Sequence, residues 1–103
     1  RGPVLLISGA DDQLWPATMM SEMITDRLKV NGHQFACKHL RFEAAGHAIS
    51  LPGLPLDCYP TRARHGLTGT TYELGGNPEA NASASEESWL EVLKFLAQHA
   101  RPL

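Results

Sequence analysis

The 103-residue sequence lacks the features that mark membrane, secreted and nucleic-acid-binding proteins. Its longest apolar run near the start has four residues (4–7), whereas a membrane span needs about 20 and a signal peptide about 7–15. Two cysteines are too few for a disulfide scaffold and favour reduced thiols in an intracellular protein. Nine basic residues against eleven acidic ones, without a basic cluster, do not favour nucleic acid as a partner. We therefore expect a globular domain with no membrane and no nucleic-acid partner. Without an export signal or a final Ser-Lys-Leu, the default expected location is cytoplasmic.

The first half of the sequence predicts a parallel β-α-β unit. Residues 3–8 form a continuous apolar run, typical of a strand buried on both faces of a parallel sheet. Residues 17–30 have helical spacing, with an apolar stripe on one face. Residues 36–43 alternate imperfectly and predict a second strand nearer a sheet edge. A strand, a helix and a strand in this order cross over right-handed into a parallel pair. The predicted stripe of the helix consists of Met20, Met23, Ile24 and Leu28.

The second half predicts a long loop and a final helix. Residues 44–78 are rich in proline and glycine and predict an irregular loop, a kind of segment that is often functional. Residues 83–100 predict a helix that starts at a capping box of Ser83 and Glu86 and ends at Pro102. The first strand resembles a central one, yet nothing in these residues can pair with its other edge. We therefore expect the sheet to continue outside these residues or in a second copy. The apolar stripe of the final helix consists of Trp89, Val92, Leu93 and Leu96.

Polar side chains that could carry chemistry follow the two predicted strands. Asp11 and Asp12 come directly after the first strand, and His47 follows the second. Loops at the carboxyl ends of adjacent parallel strands lie side by side, so a carboxylate and an imidazole are expected to meet there. Such a pair forms two thirds of a nucleophile–His–acid triad, because the carboxylate orients the ring that acts as general base. A helix-capping aspartate and an exposed loop histidine are the alternatives that the pattern leaves open.

The other candidate groups predict less. His33, Cys37 and His39 do not complete a zinc ligand set, and Cys58 has no strand-turn-helix context for a nucleophile. The acceptor pattern for N-glycosylation at Asn81 occurs in a sequence with no export signal. We therefore expect no metal, no cofactor and no glycan.

Residues 3–16, PVLLISGADDQLWP, resemble the penultimate strand and acid loop of α/β-hydrolases. In that pattern the catalytic acid lies three residues after the glycine and four before the proline, which implies Asp12 rather than Asp11. Gly46-His47 resembles the Gly-His pair that carries the catalytic histidine of the same superfamily. The resemblance implies that Asp12 and His47 are catalytic residues.

Two further segments are similar to the acyl-CoA thioesterases and bile acid-CoA:amino acid N-acyltransferases. Residues 46–55, GHAISLPGLP, resemble their G-H-x-I-x-P-P-x-x-P segment, with Leu51 in place of a proline. Residues 72–82, YELGGNPEANA, followed by Trp89, resemble their closing Gly-Gly turn and final helix. The resemblance implies an acyl-CoA thioester substrate for the parent enzyme and hydrolysis or acyl transfer as its reaction.

The family's nucleophile turn, G-x-[S/C]-x-G, does not occur in the 103 residues, and neither do its oxyanion-hole segment and N-terminal β-sandwich. The first residue is Arg rather than Met, so we expect a processed product or a piece of a longer protein. The resemblance implies that residues 1–103 are a C-terminal fragment of an α/β-hydrolase domain. This fragment holds the acid and histidine half and is expected to be inactive alone.

Two alternatives stay open. The same fold could act on carboxylic esters or lactones, as in dienelactone hydrolase. Alternatively, the segment could be a non-catalytic fragment that forms a homo-oligomer through the open sheet edge. Trp15 is expected either to line the substrate pocket or to pack against the final helix.

Overall fold

The computed structural model describes residues 1–100 and contains a parallel β-α-β unit. Strand β1 (Val4–Gly9) is followed by helix α1 (Ala17–Val30) and strand β2 (Cys37–Phe42), and the two strands pair in parallel over their whole length. The chain therefore has the α/β class and the β-α-β unit that the sequence predicts. Within residues 1–100, β1 has a neighbouring strand on one side only.

The segment predicted as an irregular loop, residues 44–78, contains regular structure, so that part of the prediction is wrong. A single 3-10 turn covers Leu56–Cys58. Strands β3 (Arg62–Arg64) and β4 (Thr71–Glu73) then pair antiparallel. Helix α2 (Pro78–His99) follows as the last element described.

The hairpin escaped prediction because its strands are too short to show a pattern. All six of its strand residues are exposed, so no alternation of apolar and polar side chains marks them. The hairpin is held by backbone bonds and by a cross-strand ion pair, in which Arg62 Nε lies 2.8 Å from Glu73 Oε1. Such a hairpin gains little from burial and depends on what lies at its base.

Helix α2 begins five residues earlier than predicted. Asn77 is its N-cap and accepts a 2.8 Å hydrogen bond from the backbone N–H of Ala80, while Pro78 occupies the first turn. This pairing of an Asn cap with an N-terminal proline is a sufficient start signal. The capping box expected at Ser83 is therefore wrong, because Ser83 lies inside the helix. The predicted stop at Pro102 lies outside the described residues.

Helix α1 covers one face of the sheet with its polar side. Ser8 Oγ on β1 lies 2.7 Å from Nε2 of His39 on β2 and 2.9 Å from Oγ1 of Thr18 on α1. Ser21, also on α1, is the buried residue of that helix. The helix presents hydroxyls to the sheet because the sheet offers hydrogen-bonding partners there. The predicted core stripe is wrong as a buried face: Met20, Met23 and Ile24 are exposed, and Leu28 is half-buried.

Helix α2 covers the opposite face of the sheet. Lys38 of β2 donates a 2.8 Å hydrogen bond to Glu91 Oε2, and this contact together with Lys94 lowers the pKa of the Glu91 carboxyl. The fully buried residues of α2 are small and mostly polar: Asn81, Ala84, Ser85 and Ser88. The predicted apolar stripe lies at the margin of the contact. Of its members, Trp89, Leu93 and Leu96 are exposed and Val92 is half-buried.

The buried apolar side chains lie mainly beneath the loops. They are Ala45, Tyr59, Leu74 and Ala84, of which only Ala84 belongs to a helix. The Tyr59 hydroxyl donates to the Leu51 carbonyl at 2.7 Å and accepts from the Leu54 amide at 3.1 Å. The best-packed part of the chain is therefore the region that carries the loops after β1, β2 and β4. No helix among the described residues has the length and apolar character needed to cross a membrane.

Candidate active site

Asp12 follows β1 and uses its two carboxylate oxygens for different partners. Oδ1 accepts hydrogen bonds from the backbone N–H groups of Leu14 and Trp15, both at 2.9 Å. Oδ2 lies 3.1 Å from Nδ1 of His47. The side chain is only 5% exposed. Asp12 therefore stabilises the turn before α1 and also faces the histidine. The helix-capping alternative is wrong, because the N-cap of α1 is Pro16 and no side chain among residues 1–100 caps the helix.

His47 lies in the loop after β2, where its own backbone N–H and that of the preceding residue are both hydrogen-bonded. Its N–H donates to the Leu74 carbonyl at 2.8 Å, and the N–H of Gly46 donates to Oδ1 of Asn81, also at 2.8 Å. The ring is 32% exposed, with Nδ1 directed at Asp12. When Nδ1 carries the proton and donates a hydrogen bond to the Asp12 carboxylate, Nε2 is left as the basic nitrogen.

Asp11 points away from this pair and has a different role. Its Oδ2 accepts from the N–H of Gly76 at 2.8 Å, and its Oδ1 accepts from the side-chain amide of Gln13 at the same distance. Asp11 thus fastens the β1 loop to the Gly-Gly turn at residues 75–76. The structure brings Asp12, and not Asp11, to His47.

The Gly-Gly turn packs directly against both loops. Gly75 and Gly76 have φ values of +77° and +69°, in the left-handed region that favours glycine. A Cβ on Gly75 would collide with the Asp11 carbonyl oxygen, and one on Gly46 would collide with the backbone of Gly75. Glycine is required at these positions because three stretches of backbone meet there. Sequence reasoning used this turn only as a family feature and missed its contact with the site.

An apolar groove of about 510 Å³ opens beside the Asp12–His47 pair. Trp15 stands against the imidazole with ring centroids 5.1 Å apart and planes at 81°, an edge-on arrangement. It therefore lines the groove, the first of the two positions expected for it. Most other side chains along the groove are apolar, among them Ile7, Ile49, Leu51, Trp89 and Val92. Such a groove suits an apolar chain whose reactive end lies at His47.

Asn81 is the site residue that sequence reasoning missed. The sequence marks Asn81 only as a chance glycosylation pattern and as one residue of the family segment 72–82, whereas its side chain has no solvent exposure at all. Its contact with Gly46 spans 35 residues of sequence. No local pattern marks such a contact.

The remaining candidates are not brought to the site. His39 lies under α1 with Ser8, and His33 packs near Phe35. Cys37 and Cys58 are free thiols. Among residues 1–100, no group of three His, Cys, Asp or Glu side chains comes together as a possible metal site.

The arrangement can move a proton but holds no nucleophile turn. The carboxylate orients the imidazole, the imidazole can accept and return a proton, and the groove can hold an apolar group. The sequence has no G-x-[S/C]-x-G turn that would place a Ser or Cys at Nε2.

Comparison with known proteins shows the family of this chain. A family model described as "BAAT / Acyl-CoA thioester hydrolase C terminal" matches residues 1–102. Among curated proteins, the chain is 31% identical to human acyl-coenzyme A thioesterase 6 over 101 residues, which are 94% of this chain and 22% of that protein. It is 32% identical to mouse acyl-coenzyme A amino acid N-acyltransferase 1 over 99 residues, which are 96% of this chain and 23% of that protein. It is 27% identical to the mouse peroxisomal succinyl-coenzyme A thioesterase over 99 residues, which are 96% of this chain and 23% of that protein. The chain spans less than a quarter of the length of these relatives.

Proposed function

Because this chain belongs to the BAAT / acyl-CoA thioester hydrolase C-terminal family, we propose that it supplies the acid and the histidine of an acyl-CoA thioester hydrolase or acyltransferase. In this proposal Asp12 and His47 are two members of a Ser/Cys–His–Asp triad. Residues 1–103 are then the C-terminal part of an α/β-hydrolase domain, and the nucleophile lies on polypeptide outside them. The observation that carries the proposal is the 3.1 Å contact between Asp12 Oδ2 and His47 Nδ1 beside an apolar groove.

The proposed reaction uses His47 as a proton carrier. Asp12 accepts the Nδ1 proton in a hydrogen bond, and Nε2 takes the proton of the Ser or Cys that attacks the thioester carbonyl. The carbon–sulfur bond breaks, and Nε2 returns that proton to the departing CoA thiolate. Water then gives a proton to Nε2 and attacks the carbonyl of the acyl–enzyme. The bond from the acyl carbon to the Ser or Cys breaks, and Nε2 returns the proton to that side chain as the carboxylic acid leaves. An amino acid amine in place of water would give an amide. The names of the relatives include both thioesterases and acyltransferases.

The groove supports an acyl-CoA as the substrate. Its mainly apolar lining suits the acyl chain, and Asp12 and His47 both line it. Family membership favours thioesters over the carboxylic esters or lactones that the sequence left open.

Thiol release from an acyl-CoA tests the proposal. We expect the longer natural polypeptide that contains residues 1–103 to release CoA, and its His47→Ala variant to lose nearly all of that activity. We expect the purified 103-residue chain to release no more thiol than its own His47→Ala variant. Full activity of the longer His47→Ala protein would contradict the role of His47. Sustained hydrolysis by the short chain above its control would contradict a nucleophile located elsewhere.

Self-association is a second candidate, because one feature favours it. The outer edge of β1 has no partner strand within residues 1–100, and its backbone groups could pair with a second copy. Light scattering coupled to size exclusion measures the mass. A dimer that is broken by Leu5→Pro favours this candidate, whereas a strict monomer at high concentration removes it.

A further inference from the structure

Asn81 reaches from α2 to the backbone immediately before His47. Its side chain is fully buried. Oδ1 accepts the Gly46 N–H at 2.8 Å, and Nδ2 lies 3.5 Å from the Tyr59 carbonyl. A buried amide N–H is costly without a partner, and no strand or helix bond serves Gly46 at this position. The amide oxygen of Asn81 is therefore what allows this segment to be buried.

Two consecutive backbone amides are fixed by partners outside their own loop. Asn81 Oδ1 holds the N–H of Gly46, and the Leu74 carbonyl holds the N–H of His47. The two bonds restrain the two successive peptide planes that flank Cα of Gly46, and so set the orientation of the plane between residues 46 and 47 relative to the plane before it. That orientation sets the direction of the His47 Cα–Cβ bond, and hence where the ring stands relative to Asp12.

We propose that Asn81 is a positioning residue for His47, acting through the Gly46 amide. This inference rests on the proposed function of His47 as the proton carrier. Asn81 touches neither the ring nor the groove, so it is not a catalytic residue. It provides a buried acceptor on a helix, which is a more rigid support than the loop itself.

A matched control exists on the same buried face of α2. Ser85 is also fully buried, and its Oγ accepts the N–H of Ser50 at 2.9 Å, three residues beyond His47. Removing this bond destabilises the same helix–loop contact without freeing Gly46. A purely structural role for Asn81 predicts that the Asn81 and Ser85 variants behave alike at His47. The positioning role predicts that they differ.

The test uses NMR on the 103-residue chain and needs no enzymatic activity. In Asn81→Leu, which keeps the branched shape but has no acceptor, we expect the Gly46 amide to exchange at least about ten times faster relative to global exchange. The imidazole nitrogens of His47 should change from one dominant Nδ1–H tautomer to a mixture. In Ser85→Ala, the Ser50 amide should exchange faster instead, and the His47 tautomer should stay as in the parent chain.

Asn81→Asp keeps an oxygen at the same place and exchanges the amide donor toward Tyr59 for a second carboxyl oxygen, which is stable there when it is protonated and donates to the Tyr59 carbonyl. We expect it to retain both the protection of Gly46 and the His47 tautomer, and this result decides the matter if Asn81→Leu does not fold. Faster exchange of Gly46 or a mixed tautomer in Asn81→Asp overturns the proposal. So does an unchanged His47 in a folded Asn81→Leu.

In the longer natural polypeptide, Asn81→Leu should lower kcat by about 10–100-fold with KM within about twofold, because the misplaced group acts in the chemical step. A rise in KM alone overturns the proposal. If that polypeptide releases no CoA while the NMR results hold, the positioning of His47 by Asn81 stands and the proposed function fails.

Discussion

The loop edge that carries Asp12 and His47 and the outer face of α1 are built in opposite ways. At the loop edge, polar side chains and backbone are buried and bonded, and three of the four apolar residues that are buried within residues 1–100 lie there. On the outer face of α1, large apolar side chains are left in contact with solvent, and Met23 is 63% exposed. In most domains the helices pack well and the loops lie on the surface.

The comparison indicates which region finds its hydrogen-bonding and packing partners within residues 1–100. At the loop edge, the amides of Gly46 and His47 find acceptors within the described residues, on Asn81 and Leu74, so the chain itself supports the backbone of the site. Most of the predicted apolar stripe of α1 and the free edge of β1 find no cover among the described residues. Substitutions at the two regions should therefore have very different costs.

The two adjacent aspartates give the largest expected difference. In the longer natural polypeptide, Asp12→Asn should lower kcat for an acyl-CoA by about 10⁴-fold, because the amide no longer holds the productive tautomer of His47. Asp11→Asn changes an equivalent carboxylate that faces the Gly-Gly turn, and kcat should stay within about threefold. Stopped-time thiol release measures both. Equal losses in the two variants would show that Asp12 does no more than its neighbour.

Two glycines with similar φ allow the cost of a steric clash to be measured apart from the cost of a left-handed backbone. Gly75 (φ +77°) faces the Asp11 carbonyl, whereas Gly53 (φ +74°) has nothing within 4 Å of an added Cβ. Gly75→Ala should destabilise the chain by about 3 kcal/mol or more, a large part of the stability of a small domain. Gly53→Ala should cost about 1 kcal/mol, the cost of the left-handed backbone alone. Urea unfolding gives both values, and similar midpoints would contradict the tight packing of the turn.

A loop leucine should matter more than a helix methionine. Leu74 is 7% exposed at the base of the hairpin, and Leu74→Ala should cost about 2–3 kcal/mol. Met23→Ala lies in the middle of α1 but on its exposed face, and should stay within about 0.5 kcal/mol. The reverse order in urea unfolding would mean that the outer face of α1 is covered in solution, for instance by a second copy.

The smallest expected effect concerns the ion pair between α2 and β2. Hydrogen bonding to Lys38 lowers the pKa of Glu91 from the ordinary value of 4.5, so the folded state favours the ionised form. The resulting stabilisation is present above that value and is lost as the pH falls through the lowered pKa. Glu91→Gln should reduce the melting temperature slightly at pH 7 and not at pH 2–3. Glu87→Gln, an exposed change on the same helix, should show no such pH dependence.

The elements of the fold that depend on neighbouring residues could be predicted from the sequence. The β-α-β unit was recognisable because a short apolar run and a helical period are properties of neighbouring residues. The choice of Asp12 over Asp11 came from its spacing to Gly9 and Pro16 in a family pattern, and the contact with His47 agrees with that choice.

The parts that depend on distant partners could not be predicted. The buried face of α1 is decided by Ser8 and His39 on the sheet, which turn its hydroxyls inward although its apolar residues form a stripe. The β3–β4 hairpin has no burial pattern, and Asn81 depends on an amide 35 residues away. Buried polar contacts of this kind give no periodic pattern of apolar residues in the sequence.

One carbonyl oxygen serves as a shared reference for the two halves of the candidate site. The Leu74 oxygen accepts the N–H of Gln13, next to Asp12, and also the N–H of His47. When the segment at Leu74 shifts, both loops shift with it in the same direction. Because Asp12 and His47 then move together, the distance between them changes little. Fluctuations of the exposed hairpin, which ends just before Leu74, should therefore change the spacing of the pair little.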